Sequence, residues 1–221
     1  MIKNIIGNEF VIKNKFIFLV FIFFFTRIII YNYFEIQINT PNYGYHLLDI
    51  SLLKNDLFNS LIYLHSQPPL WNLFNGIIAK IMNGEINLIS KFFNIYHCFL
   101  TLLIIYFSIK ILREFYLNNK IELFIFFFIT LNPSIIFFEN IFHYTHTTLF
   151  FFTLNTYNII KLFKTNNYKY EIYIYLNILI LSFIWILFQP ILLLIVFLSI
   201  RLLRKNSKKV FFVFSLIFII S

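Results

Sequence analysis

Long apolar runs, each bounded by charged or turn residues, dominate the chain. A helix needs about 20 mostly apolar residues to cross roughly 30 Å of hydrocarbon. Six runs meet that demand, at 16–34, 92–112, 121–138, 141–162, 172–188 and 190–203. A seventh starts at Val210 and reaches Ser221 before it is long enough to span, so carboxy-terminal helices are expected beyond this stretch. The first run follows Lys3, Lys13 and Lys15 in the manner of a signal peptide. Bulky Ile28, Ile29, Ile30, Tyr31 and Phe34 stand where small residues would mark a cleavage site, so it reads as an uncleaved signal anchor.

Between the first two runs lies a long loop, 35–91, with two amphipathic stretches. Over 46–64, Asp49, Asp56 and Tyr63 fall at a spacing of seven, beside an apolar flank of Ile50, Leu53, Leu57, Leu61 and Leu64. The stretch 68–84 is apolar but short, and carries Asn72, Asn75 and Lys80. Both are expected to lie on the membrane rather than through it. A loop of this length is uncommon unless it has a function.

Composition agrees with lipid as the solvent. Of 221 residues, 60% are hydrophobic, 33 are Phe and only 12% are charged, with a mean hydropathy of +0.81. So few polar residues cannot cover a water-soluble domain, and that class is excluded. The net charge of +9 does not point to nucleic acid, because the cations cluster in short segments between apolar runs. The single cysteine, Cys98, lies within an apolar run and reads as a small buried hydrophobe.

Charge also sets orientation, since short cytoplasmic loops hold an excess of Lys and Arg. With the amino terminus cytoplasmic, fourteen of the eighteen cations fall inside, and Lys54, Lys80 and Lys91 fall outside. A membrane crossing at 68–84 would turn the Lys110, Arg113 and Lys120 cluster outward, which is why that stretch is read as interfacial. Asp49, His65, Gln67, Glu139, Asn140, His143 and Gln189 then share the external side. Tyr31, Tyr33, Trp71 and Tyr144 suit an interfacial aromatic belt, and Trp185 suits packing.

The chemistry-bearing residues gather in two stretches. One runs from Tyr45, His46 and Asp49 through His65, Gln67, Pro68, Pro69 and Trp71, where a carboxylate, an imidazole and an amide precede a double proline that opens an apolar helix. The other is Asn132, Pro133, Glu139, Asn140, His143 and Tyr144. An ionisable group beside hydrocarbon is costly, which marks Glu139 as functional by default. Glu139, His143 and His146 at i, i+4 and i+7 fall on one helical face and form a weak candidate for a divalent metal. Arg27 suits either a phosphate or the outer headgroups, to which it would snorkel.

In these two stretches the chain resembles the polytopic GT-C glycosyltransferases, in particular the bacterial group related to protein O-mannosyltransferases and lipid A aminoarabinose transferase. Like them, it has an acidic residue in its first external loop, a Gln-Pro-Pro-Leu stretch, an interfacial helix and an Asn-Pro turn. The likeness lies in hydropathy and order more than in residue identity. It implies an all-α, polytopic transmembrane bundle with interfacial helices in a long first external loop, the 221 residues forming the amino-terminal part of one domain. It further implies transfer of a sugar from a polyprenyl-phosphate donor to a lipid, glycan or protein acceptor at the outer face of a bacterial plasma membrane, with inversion at the anomeric carbon and no required cofactor. By family position Asp49 is the general base, or else a polar residue on an interfacial helix. Glu139 joins it as the second catalytic candidate. His65 and Gln67 would bind the donor, or cap the following helix. Asn140, His143, Tyr144 and Arg27 complete the substrate-binding candidates. A transporter or flippase for a lipid-linked precursor, and a non-catalytic membrane subunit, are the rival readings.

Overall fold

The computed structural model describes residues 2–33, 48–62, 69–115 and 118–184, with Ile195 and Leu198. Among these, every regular element is a helix: α1 (Ile2–Tyr33), α2 (Ile50–Asn55), α3 (Leu57–Ile62), α4 (Pro69–Ile81), α5 (Ile86–Glu114), α6 (Asn119–Thr130), α7 (Pro133–Asn140), α8 (Thr145–Thr165) and α9 (Tyr168–Ile184). His65, Gln67, Trp185, Gln189 and the runs from 190 and 210 lie outside the described residues, apart from Ile195 and Leu198.

Helix α5 is the axis of the bundle, packing on α6, α7 and α8, while α9 lies against α8. At 29 residues it is also the one described helix that is by itself long and apolar enough to cross a membrane. The run 121–138 is not a single straight helix. It breaks between α6 and α7 with a bend of 47°, and passes the same test only if the two halves count as one span. The cause is local. Pro133 cannot continue the α6 hydrogen-bond ladder, and the Asn132 side chain accepts from the Ser134 and Ile135 N–H groups to start α7 afresh. Helix α8 has the length to span, but threonines, asparagines and a histidine dilute its hydropathy; α9, at 17 residues, stops short.

The distribution of polarity is inverted relative to a water-soluble bundle. Phe18, Phe21, Phe24, Phe25, Phe124 and Phe128 point outward. Arg27, Asn94, His97, Thr101, Glu139, His146, Asn155 and Asn158 are buried. Asn155 and Asn177 join α8 to α9 through an amide hydrogen bond of 3.1 Å.

The two ends of the bundle differ in character. At one, Arg113 grips Glu122 at 2.7 and 3.1 Å, and Lys161 meets Glu114 at 2.5 Å, with Lys164 donating to the Glu114 carbonyl. At the other, Ile50, Trp71, Ile78, Ala79, Ile89, Phe93, Phe142, Tyr144 and Ile184 form an apolar cluster.

The loop helices depart from the sequence expectation in two ways. The stretch 46–64 is not one helix, because Asp56 (φ −140°, ψ 60°) interrupts it, so Asp49 and Asp56 are helix-end residues rather than members of one stripe. Ile50 and Leu53 are nonetheless buried, so the apolar flank starts as expected. Helix α4 is not merely laid on a surface either. It packs between α2 and α9 and buries Trp71, Asn72, Asn75, Gly76, Ile78 and Ala79. The reversal from α4 to α5 uses Asn83 and Gly84, both at positive φ, with the Gly84 N–H bonded to the Ala79 carbonyl.

Candidate functional site

Beside the apolar cluster, four helices bring their buried polar side chains together. The centre is Glu139, in the last turn of α7 and 0% exposed. Arg27 of α1, 3% exposed, donates through Nη2 to Glu139 Oε1 at 2.8 Å, and its Nε lies 2.6 Å from Oε2, an ion-pair approach that is off the hydrogen-bond axis. Its Nη1 donates to the Thr130 carbonyl at 2.6 Å. That carbonyl is at the end of α6, where the last C=O groups have no partner within the helix and the helix dipole favours a cation. The guanidinium also lies 4.5 Å from the Phe23 ring centroid. Arg27 therefore points inward, which goes against the snorkelling alternative of the two the sequence left open.

The carboxylate receives two further donors. Thr101 of α5 gives its hydroxyl proton to Oε1 at 2.6 Å, and Tyr31 of α1 donates to Oε2 at 3.2 Å. Asn94 of α5 donates to the Asn140 side-chain carbonyl at 3.1 Å and approaches the Tyr31 hydroxyl and the Glu139 carbonyl at 3.3 Å. His146, at the start of α8, brings Nε2 to 2.8 Å from the Thr101 hydroxyl. A carboxylate with this many donors has its hydrogen-bonding capacity well satisfied.

Three buried ring nitrogens lack partners. His97 is 0% exposed and neither of its nitrogens closes a hydrogen bond, although the Glu139 carbonyl faces the ring; His146 Nδ1 is equally bare. The two rings are 5.5 Å apart, centroid to centroid. His97 also lines a narrow crevice with Ser90, Phe93, Asn94, Glu139, Asn140, Ile141 and Phe142, which is too tight for a water molecule.

The candidates thus separate. Arg27, Glu139 and Asn140 belong to one network. Asp49 does not line the crevice; half-buried, it caps α2 by accepting from the Ser51 N–H at 2.7 Å. His143 lies tilted against Tyr144 with centroids 4.1 Å apart and shares its Nδ1 with the Thr145 hydroxyl. Glu139, His143 and His146 do not share a helical face, because α7 ends at Asn140 and α8 begins at Thr145. No group of three metal-ligating side chains occurs among the described residues. Trp71 and Tyr144 are core residues and Tyr31 is a hydrogen-bonding one, so these three are not belt anchors.

Sequence reasoning missed Tyr31, Asn94, His97 and Thr101 as members of the site. A signal for three of them was present. Ser90, Asn94, His97 and Thr101 recur at i, i+4, i+7 and i+11, a polar stripe along one face of an otherwise apolar span.

The hydroxyl of Thr101 ties three helices together. Thr101→Val keeps the shape and removes the donor to a buried carboxylate, which should lower unfolding stability in detergent by about 1.5–3 kcal/mol. Thr101→Ser should restore most of it. An unchanged valine variant would mean that the hydroxyl does not hold Glu139.

Compared with known protein families, curated proteins and solved structures, the chain matches none.

Proposed function

We propose that the chain is part of a multi-pass membrane glycosyltransferase that takes a sugar from a polyprenyl-phosphate donor and passes it to an acceptor at the external face. The reading rests on the resemblance in the first loop and the Asn-Pro turn. The observation that carries it furthest is the buried Arg27–Glu139 pair, held against Thr101 near the middle of α5 and well along that helix from the Arg113 and Lys161 ion pairs. The inverted polarity of the bundle supports lipid as its surroundings. Under this reading the apolar outer surface faces acyl chains, and the loop helices α2, α3 and α4 cover the external end.

The reaction needs an acceptor hydroxyl or amine to attack the anomeric carbon while the phosphate oxygen leaves. Asp49, half-buried at a helix start and bonded among the described residues to a backbone N–H, is the carboxylate assigned as base, because both Glu139 oxygens are already occupied by donors. Arg27 supplies the charge that a departing phosphate requires, held in place by Glu139. His65 and Gln67, outside the described residues, remain donor-binding candidates.

The test is release of sugar from prenyl-phosphate donors by the purified full-length protein. Asp49→Asn should lower transfer by about 10²–10⁴-fold. Transfer that survives both Asp49→Asn and Glu139→Gln removes these residues from the active centre. Cysteines placed at 49 and 120 should be labelled from opposite sides of sealed vesicles.

The transporter reading gains from a specific observation. Ionisable residues are buried among four helices, and α6–α7 is a broken helix, both of which are features of substrate pathways. It predicts movement of a labelled lipid-linked precursor between leaflets without sugar release, and the same vesicles distinguish the two.

A further inference from the structure

We infer that the Arg27–Glu139 cluster is a proton-coupled anion site, which takes up one proton on Glu139 as one phosphate group arrives at Arg27. The inference rests on the reading above that Arg27 meets a phosphate, and it adds how that cation is released from its present partner.

Charge balance comes first. Arg27 and Glu139 are sealed together, and their charges cancel. An anion entering this low-dielectric space would leave a net negative charge with the ion pair intact, which is expensive. One proton delivered with the anion restores neutrality: Glu139 becomes a carboxylic acid, and the guanidinium turns to the phosphate. A proton delivered alone would leave a buried positive charge, so the two arrive together.

The hydrogen-bond order supplies a route for the proton. Thr101 has one hydroxyl hydrogen. It lies 2.6 Å from a carboxylate oxygen, the strongest acceptor in reach, so the hydroxyl donates there. His146 Nε2, 2.8 Å from the same oxygen, must then be the N–H donor, which leaves Nδ1 as a bare acceptor. A proton accepted at His146 Nδ1 lets the Nε2 proton pass to Thr101 Oγ1, and the Thr101 proton pass to Glu139 Oε1. Thr101 ends with a hydroxyl, His146 with its proton on the other nitrogen, and Glu139 neutral. The His97 ring, whose nitrogens also lack partners, lies 5.5 Å from the His146 ring between centroids.

The titratable and charged groups facing Glu139 and His146 are Arg27 and Tyr31 of α1, His97 and Cys98 of α5, and His143 before α8. From α6 the site receives a backbone carbonyl, that of Thr130. Glu139 is the only carboxylate of this set and the one in direct contact with the cation, so it is the group whose charge must change when Arg27 is recruited elsewhere.

The experiment uses the full chain in lipid nanodiscs and two phosphodiester monoanions whose own charge does not change near neutrality: dimethyl phosphate and a prenyl-phospho-hexose. Calorimetry in two buffers of different ionisation heat counts protons taken up per anion bound. The expected result is one proton per anion and an affinity that rises about tenfold for each pH unit lowered, the linkage of a single proton. An infrared difference spectrum should gain a protonated-carboxyl band on binding. Glu139→Gln should bind without proton uptake and independently of pH, and Arg27→Gln should not bind.

Binding of both probes identifies the phosphate group as sufficient. Binding of the prenyl probe alone identifies a membrane-borne donor. Binding by the native chain with no proton taken up, or with no carboxyl band, overturns the coupling while leaving phosphate at Arg27 intact. Failure of both probes to bind overturns the phosphate reading and the coupling together. The native chain decides each of these outcomes, whether or not the Gln variants fold.

Discussion

Arg27→Leu should destabilise the bundle by about 3–5 kcal/mol, because it leaves the Glu139 carboxylate buried without its counter-charge. The figure follows from the burial of both partners, at 3% and 0% exposure, and from the absence of any other cation bonded to the carboxylate among the described residues. Glu139→Leu alone should cost a similar amount, since it strands the guanidinium against Thr130 and Phe23. The double variant Arg27→Leu with Glu139→Leu should recover most of the loss, because neither charge then needs a partner. Denaturant unfolding of the four proteins in one detergent closes this cycle. A single variant within 1 kcal/mol of the native chain would contradict a sealed pair. The double variant is also informative about function. It should be folded yet inactive in transfer and in anion binding, which separates the role of the pair in stability from its role in chemistry.

Trp71→Ala should have the next largest effect, about 3–5 kcal/mol from lost burial and the cavity left behind. Trp71 is 2% exposed, and its ring meets Phe93 of α5 at 5.6 Å, Phe142 at 6.1 Å and Tyr144 at 6.5 Å between centroids. Phe74 of α4 also meets α5, through Phe93 and Tyr96, but it is Trp71 whose ring joins both α5 and the turn that follows Glu139. A helix that merely rested on the membrane would tolerate the change, and the bundle would unfold as before. Protease or hydrogen-exchange measurements should instead show α4 and the 141–144 turn loosening together, because they share one aromatic cluster.

Much of the helical plan was legible in the chain. The run 92–112 lies wholly within α5, and α9 covers most of 172–188. Among the cations assigned to one side by the positive-inside rule, Arg113, Lys161 and Lys164 lie together in the described bundle, where they engage Glu122 and Glu114. These features are readable because hydropathy, length and charge are properties of short segments. The break at Asn132 and Pro133 was harder to place. Its turn residues were visible, but the apolar run continues through them, and hydropathy alone does not register a bend.

The site was legible in part. Glu139 stood out as an ionisable residue beside hydrocarbon. The stripe Ser90, Asn94, His97 and Thr101 was equally present, yet in a chain rich in Asn and Phe single polar residues carry little weight until their spacing is compared. Asp49 and Glu139 looked alike as external carboxylates. Their surroundings differ: one caps a short helix through a backbone N–H, and the other is enclosed by four helices.

The sequence by itself determined that the chain is helical and that the run 92–112 has the length and hydropathy to cross a membrane, because each is settled by residues close together along the chain. Only the tertiary structure decided that Arg27 answers Glu139 across 112 positions, that Thr101 links Glu139 to His146, and that Trp71 belongs to the core. Those pairings depend on how each helix is rotated about its axis and where α6 gives way to α7. A buried charge accepts whichever partner that packing brings within hydrogen-bond reach.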